Sequence, residues 1–115
     1  MKHCLPPGAS YTVMVLFVLL TAACSAKHYT RTAGNSVTFY YENSTAKEVM
    51  FASSIDQYNY HPAKIIRDDV WEVTVPLEKE FDYFYIVDGV ITLPDCQLSV
   101  TDDFGSKNCL FVSGL

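Results

Sequence analysis

Histidine is scarce in this chain, with three in 115 residues. His28 and His61 are the two that lie beyond the N-terminal stretch, so a histidine-built metal cluster or catalytic centre has little to draw on. No nucleophile–base pairing stands out either, which points away from an enzyme and from any cofactor. Basic residues are also few. Eight Lys or Arg face thirteen Asp or Glu, for a formal net charge of −5. A chain of that sign repels phosphate backbones, which argues against a nucleic-acid partner. Long apolar runs are missing. The longest, Tyr11 to Leu20, has ten residues, whereas a membrane-spanning helix needs about 20. Sustained helical periodicity is missing too. What the chain has in quantity is aromatic residues, with eight Tyr and seven Phe. Disordered segments are poor in these, so the chain is expected to fold. Its length fits one domain with a modest core, a size at which a covalent staple is useful.

The N-terminus reads as a targeting segment. Lys2 is followed by the apolar run and then by the small residues Thr21-Ala22-Ala23, an order that marks residues 1–23 as a secretory signal peptide. Leu20-Thr21-Ala22-Ala23-Cys24 resembles the bacterial lipoprotein signal, in which the Cys after the cut carries the lipid. Thr21 stands where that signal usually has Leu. The alternative is an ordinary cut near Ala23 or Ala26 that leaves Cys24 a plain thiol. On the lipoprotein reading the protein is exported and anchored at Cys24, and Ser25 after the Cys points to the outer membrane. Several acyl chains would anchor firmly at about 0.8 kcal/mol per buried methylene. Residues 24–34 read as a tether, because Lys27 to Gly34 is polar and shows no sustained apolar pattern. Residues 35–115 form the predicted domain.

Within that domain, strand signals recur at short intervals. Val37 to Tyr41 is β-branched and aromatic, and Glu48 to Ala52 and Lys64 to Arg67 follow it. Val70 to Val75 alternates, with Trp71, Val73 and Val75 on the face expected to enter the core. Phe81 to Val87 puts Tyr83, Tyr85 and Val87 on one face and Phe84 and Ile86 on the other. Asp88-Gly89 is a strong two-residue hairpin signal, since both residues tolerate positive φ. Gln97 to Thr101 and Cys109 to Val112 complete the set. Seven or eight short strands with regular turns imply an all-β sandwich. Cys96 and Cys109 lie close in sequence, and in an oxidising compartment they read as a disulfide. Asp68-Asp69 and Asp102-Asp103 are explained by turn chemistry. Asp103-Phe104-Gly105 spells a kinase tripeptide without the other kinase motifs.

The stretch from Val37 to Val112 resembles the glycogen-binding module of the AMP-activated protein kinase β subunit and, more broadly, the early-set domains of carbohydrate-binding module family 48. The matching segments are Val37-Thr38-Phe39 with Ala46 to Val49, Ala52 to Tyr58, Val70 to Leu77, and the Tyr83 to Gly89 hairpin. The resemblance implies an immunoglobulin-like early-set sandwich that binds an α-glucan or related carbohydrate without catalysis. Its implied sugar-binding set is Tyr58, Phe84, Phe104, Ser106 and Asn108. Tyr58 stands at the family's first stacking Trp and Asn108 at a polar sugar-binding Asn. Ser106 stands at a Thr and Phe104 at an apolar loop residue. Phe84 occupies the place of a Lys, and Ile91 that of a second Trp. The alternative is a degenerate copy of the fold that contacts an envelope protein as a scaffold. Tyr58 and Tyr60 read either as a binding platform or as loop aromatics folded over the sandwich edge.

Overall fold

The alternating apolar pattern becomes alternating burial along Ser36–Glu42 and Val70–Pro76. A computed structural model describes residues 27–114. The expected signal peptide and Cys24 lie outside the described residues. The strands are β1 (His28–Ala33), β2 (Ser36–Glu42), β3 (Val49–Ser53), β4 (His61–Pro62), β5 (Lys64–Arg67), β6 (Val70–Pro76), β7 (Glu80–Val87), β8 (Val90–Thr92), β9 (Ser99–Thr101) and β10 (Lys107–Val112). One sheet has the order β1-β2-β6-β5. The other runs β4-β3-β7-β10-β9, with β8 pairing the far end of β7. All pairs are antiparallel. The fold is therefore an open two-sheet sandwich.

Opposed residues of β2 and β6 (Val37 with Val75, Phe39 with Val73, Tyr41 with Trp71) supply one wall of the core. Phe51 of β3 and Phe81, Tyr83 and Tyr85 of β7 supply the other. Phe39 reaches across to Phe51 at 4.8 Å and Tyr83 at 4.7 Å between ring centroids. Each such side chain contributes about 1.5–3 kcal/mol of burial. Trp71 sits in this core as its alternation requires, and its indole N–H donates to the Asn43 carbonyl at 3.2 Å. Pro76 closes β6 opposite Ser36. On its other side β5 pairs only with Val70 to Glu72, so no partner there needs the N–H that Pro lacks.

The Asp88-Gly89 hairpin forms as expected, with φ of 50° and 85° and Val87 facing Val90. The Asp88 carboxylate also accepts the backbone N–H groups of Lys47 (2.9 Å) and Glu48 (2.8 Å), which ties this turn to the entrance of β3. Cys96 and Cys109 are disulfide-bonded, with Cα atoms 5.8 Å apart. Cys109 is wholly buried, so the bond pins the irregular segment after β8 to the core.

The tether assignment requires correction. His28–Ala33 is a full partner of β2, with all six residues in register from His28 opposite Tyr41 to Ala33 opposite Ser36. The sandwich thus begins before residue 35. The reason is that β1 is an edge strand. Thr30 to Ala33 face solvent and only its first residues meet the interior, so no apolar alternation marks it. The two-residue β4 was also not foreseen. With β1 it raises the strand number to ten, against the expected seven or eight.

Candidate functional site

The outer face of the six-stranded sheet carries the side chains of interest. Alternation along β7 buries Phe81, Tyr83 and Tyr85 and turns Asp82 and Phe84 outward. Asn108 of β10, one residue before the buried Cys109, points to the same face. Tyr58 arrives there by a different route. After β3, a single 3₁₀ turn (Ser54–Asp56) is capped by Ser53, whose hydroxyl accepts the Ile55 N–H. Gln57 and Tyr58 then both adopt left-handed backbone, with φ of 60° and 64°. Neither is glycine, so the bend carries strain of about 1–3 kcal/mol per residue. The Tyr58 N–H is received by the Ser53 carbonyl at 2.8 Å, which locks the bend.

The bend lays Tyr58 across β7. Its ring stacks on Phe84 with centroids 5.7 Å apart and planes 16° from parallel. Its hydroxyl donates to both carboxylate oxygens of Asp82, at 3.0 Å to Oδ1 and 2.8 Å to Oδ2. Asn108 Nδ2 donates to the same Oδ2 at 2.7 Å. The Asp82 backbone N–H donates to Ser54 Oγ at 3.2 Å, so the carboxylate-bearing residue is held from both sides. Three of the five residues named by the sequence, Tyr58, Phe84 and Asn108, are thus brought into one cluster around an Asp that was not named.

Burial pushes the Tyr58 phenol up to about 12, helped by its hydrogen bond to Asp82 and by the charges of Asp82 and Asp102. It is therefore a neutral donor at any ordinary pH. Burial alone would raise the Asp82 carboxyl. Hydrogen bonds from Asn108, Tyr58 and Ser54 outweigh it and hold Asp82 below the usual carboxylate range. The site accordingly presents a flat ring, 38% exposed, beside a fixed negative charge.

Phe104 and Ser106 stand apart from this cluster, on the loop between β9 and β10. Asp102 Oδ1 accepts the N–H groups of Phe104 and Ser106, each at 2.9 Å, so the loop is an Asp-centred turn as its sequence suggested. Phe104 projects from its tip, 93% exposed. Neither residue shares a hydrogen bond or ring contact with Tyr58. The loop is linked to the cluster through Asp102, whose charge acts on the Tyr58 hydroxyl. Ile91 lies on β8 opposite Ile86 and is 62% exposed. Tyr60 is exposed, and His61 bonds the Asp56 carboxylate, which braces the bend from outside.

Asp82 was missed because an acidic residue in a strand reads as an ordinary solvent-facing position. The available signal was its spacing of two from Phe84, which puts both on one face. Among the described residues, no group of three or more His, Cys, Asp or Glu side chains is gathered to hold a metal ion, and no helix is long and apolar enough to cross a membrane. Compared with protein-family models and with curated proteins, the chain finds no match.

Proposed function

We propose that this protein is an exported, lipid-anchored, non-catalytic module that binds α-glucan or a related envelope carbohydrate. The observation that carries the reading is the Tyr58 ring, stacked on Phe84 and fixed at its hydroxyl by Asp82, with Asn108 alongside. A pyranose has one face of C–H bonds and hydroxyls around its edge. A held aromatic ring meets the first, while the Asn108 amide and Asp82 carboxylate meet the second. Ordering the ring before the ligand arrives lowers the entropic cost of binding. The early-set resemblance supplies the α-glucan class, and the two-sheet architecture with its Asp88-Gly89 hairpin is compatible with it. The anchor is assigned to Cys24 and the compartment to the outer membrane. A Cys24→Ser variant that partitions into detergent like the parent would refute the anchor.

Titration of the protein with glycogen and malto-oligosaccharides tests the sugar reading. The expected affinity is weak, on the order of −4 to −6 kcal/mol. Tyr58→Ala removes it. A folded protein that binds no glucan ends the proposal.

A second reading, an envelope scaffold that contacts another protein, is favoured by one observation. Val90 and Ile91 of β8 are 63% and 62% exposed, where the family resemblance implies a second sugar-stacking ring. On that reading Ile91→Ser lowers partner binding, and Tyr58→Ala leaves it unchanged.

A further inference from the structure

Resting on the carbohydrate reading, we infer that the Tyr58–Phe84 site sorts sugars by charge, favouring pyranose units with a free ammonium group and rejecting uronic acids. The argument starts from what surrounds the Asp82 carboxylate. Each of its side-chain donors is neutral: the Tyr58 hydroxyl at 3.0 and 2.8 Å, the Asn108 amide at 2.7 Å and the Ser54 hydroxyl. Among the described residues no Lys, Arg or His forms an ion pair with it; the pair they do form joins His61 to Asp56. A carboxylate offers about four lone-pair sites. Tyr58, Asn108 and Ser54 are three donors, so the carboxylate keeps capacity for another.

The rings beside this carboxylate act in the same direction. Tyr58 and Phe84 lie nearly parallel, 16° apart, and a ring face attracts a cation that settles over it. Asp102, on the neighbouring loop, adds a second negative charge near the Tyr58 hydroxyl, since its own Oδ1 is engaged only with the loop's backbone N–H groups. An ammonium on a sugar therefore meets the carboxylate charge and the ring face, a neutral hydroxyl gains only a hydrogen bond, and a sugar carboxylate meets repulsion. The partly exposed setting keeps each term small, but all of them have one sign.

The test uses monosaccharides that differ by a single charge: methyl α-glucopyranoside, its 2-amino-2-deoxy analogue and the corresponding methyl glucuronide. Binding is followed by NMR shifts of the Tyr58 and Asn108 signals, with maltotetraose as the arm that tests the carbohydrate reading. The amino sugar is expected to bind roughly fivefold tighter than the glucoside, and the glucuronide roughly fivefold weaker. Raising salt from about 0.05 to about 0.5 M should compress that spread. Asp82→Asn, which retains an acceptor for Tyr58, should remove most of it, while Asp69→Asn on the opposite sheet removes the same charge and should leave it intact. If Asp82→Asn does not fold, Asp102→Asn takes its place and should narrow the spread. Equal affinities across the three monosaccharides, with maltotetraose still bound, overturn this inference and leave the carbohydrate reading standing. Equal effects of Asp69→Asn and Asp82→Asn also overturn it, because the preference then comes from net charge. A folded protein that binds none of these sugars overturns the carbohydrate reading, and this inference with it.

Discussion

Mild acid should destabilise this sandwich through one residue, His28. The imidazole is the core-facing side chain at the start of edge strand β1. It lies among Phe39, Tyr83 and Tyr85, at centroid distances of 6.0, 5.8 and 5.5 Å, with Tyr41 beyond. Its Nε2 shares a 2.9 Å hydrogen bond with the Tyr85 hydroxyl. Burial pushes its pKa down from 6.5 to about 4, and the charge of Asp95 opposes that only in part. The Tyr83 and Tyr85 phenols are themselves raised by burial and stay neutral. Because the folded value lies below the unfolded one, the unfolded chain takes up the proton first. His28 therefore leaves stability untouched above about pH 6.5 and reduces it as pH falls toward 4. The full penalty is about 3 kcal/mol, and about 2 kcal/mol of it is in force by pH ~5, before most carboxylates titrate. Urea unfolding followed by Trp71 fluorescence at pH ~8 and ~5 measures this. The parent should lose about 2 kcal/mol more than His28→Gln or His28→Phe over that interval. His61 is common to all three proteins and cancels. An equal loss in parent and variants would refute the argument.

Three further outcomes follow from the geometry. Asp88→Ala leaves the Lys47 and Glu48 N–H groups without their acceptor and should cost about 1–3 kcal/mol in urea or thermal unfolding, with a smaller loss in Asp88→Asn. Gln57→Gly removes the Cβ from a residue at φ 60° and should stabilise by about 1 kcal/mol; destabilisation would mean that the bend is unstrained. Reduction of the Cys96–Cys109 bond should lower stability by about 3 kcal/mol, seen as a shifted urea midpoint, and alkylation before reduction should label neither thiol.

Legibility from sequence followed the exposure of each element. β2, β6 and β7 were readable because burial alternates along most of each strand, which writes period-two alternation into the residues. Asp88-Gly89 was readable because its chemistry is local to the turn. β1 was not, since an edge strand with four exposed residues in succession leaves no such trace, and its identity rests on hydrogen bonds to β2. The site was half legible. Tyr58, Phe84 and Asn108 could be named, but the carboxylate that joins them could not, because Asp82 lies 24 residues from Tyr58 and 26 from Asn108.

Residue pattern alone thus determined the fold class, the core face of β6 and the cysteine pair, because burial and turn geometry act over a few neighbouring residues. Tertiary structure decided which exposed side chains meet. Two left-handed residues at Gln57 and Tyr58 swing one ring over β7, and sheet pairing brings Asn108 to the same carboxylate. Those contacts depend on how distant strands align, and no local pattern encodes that alignment.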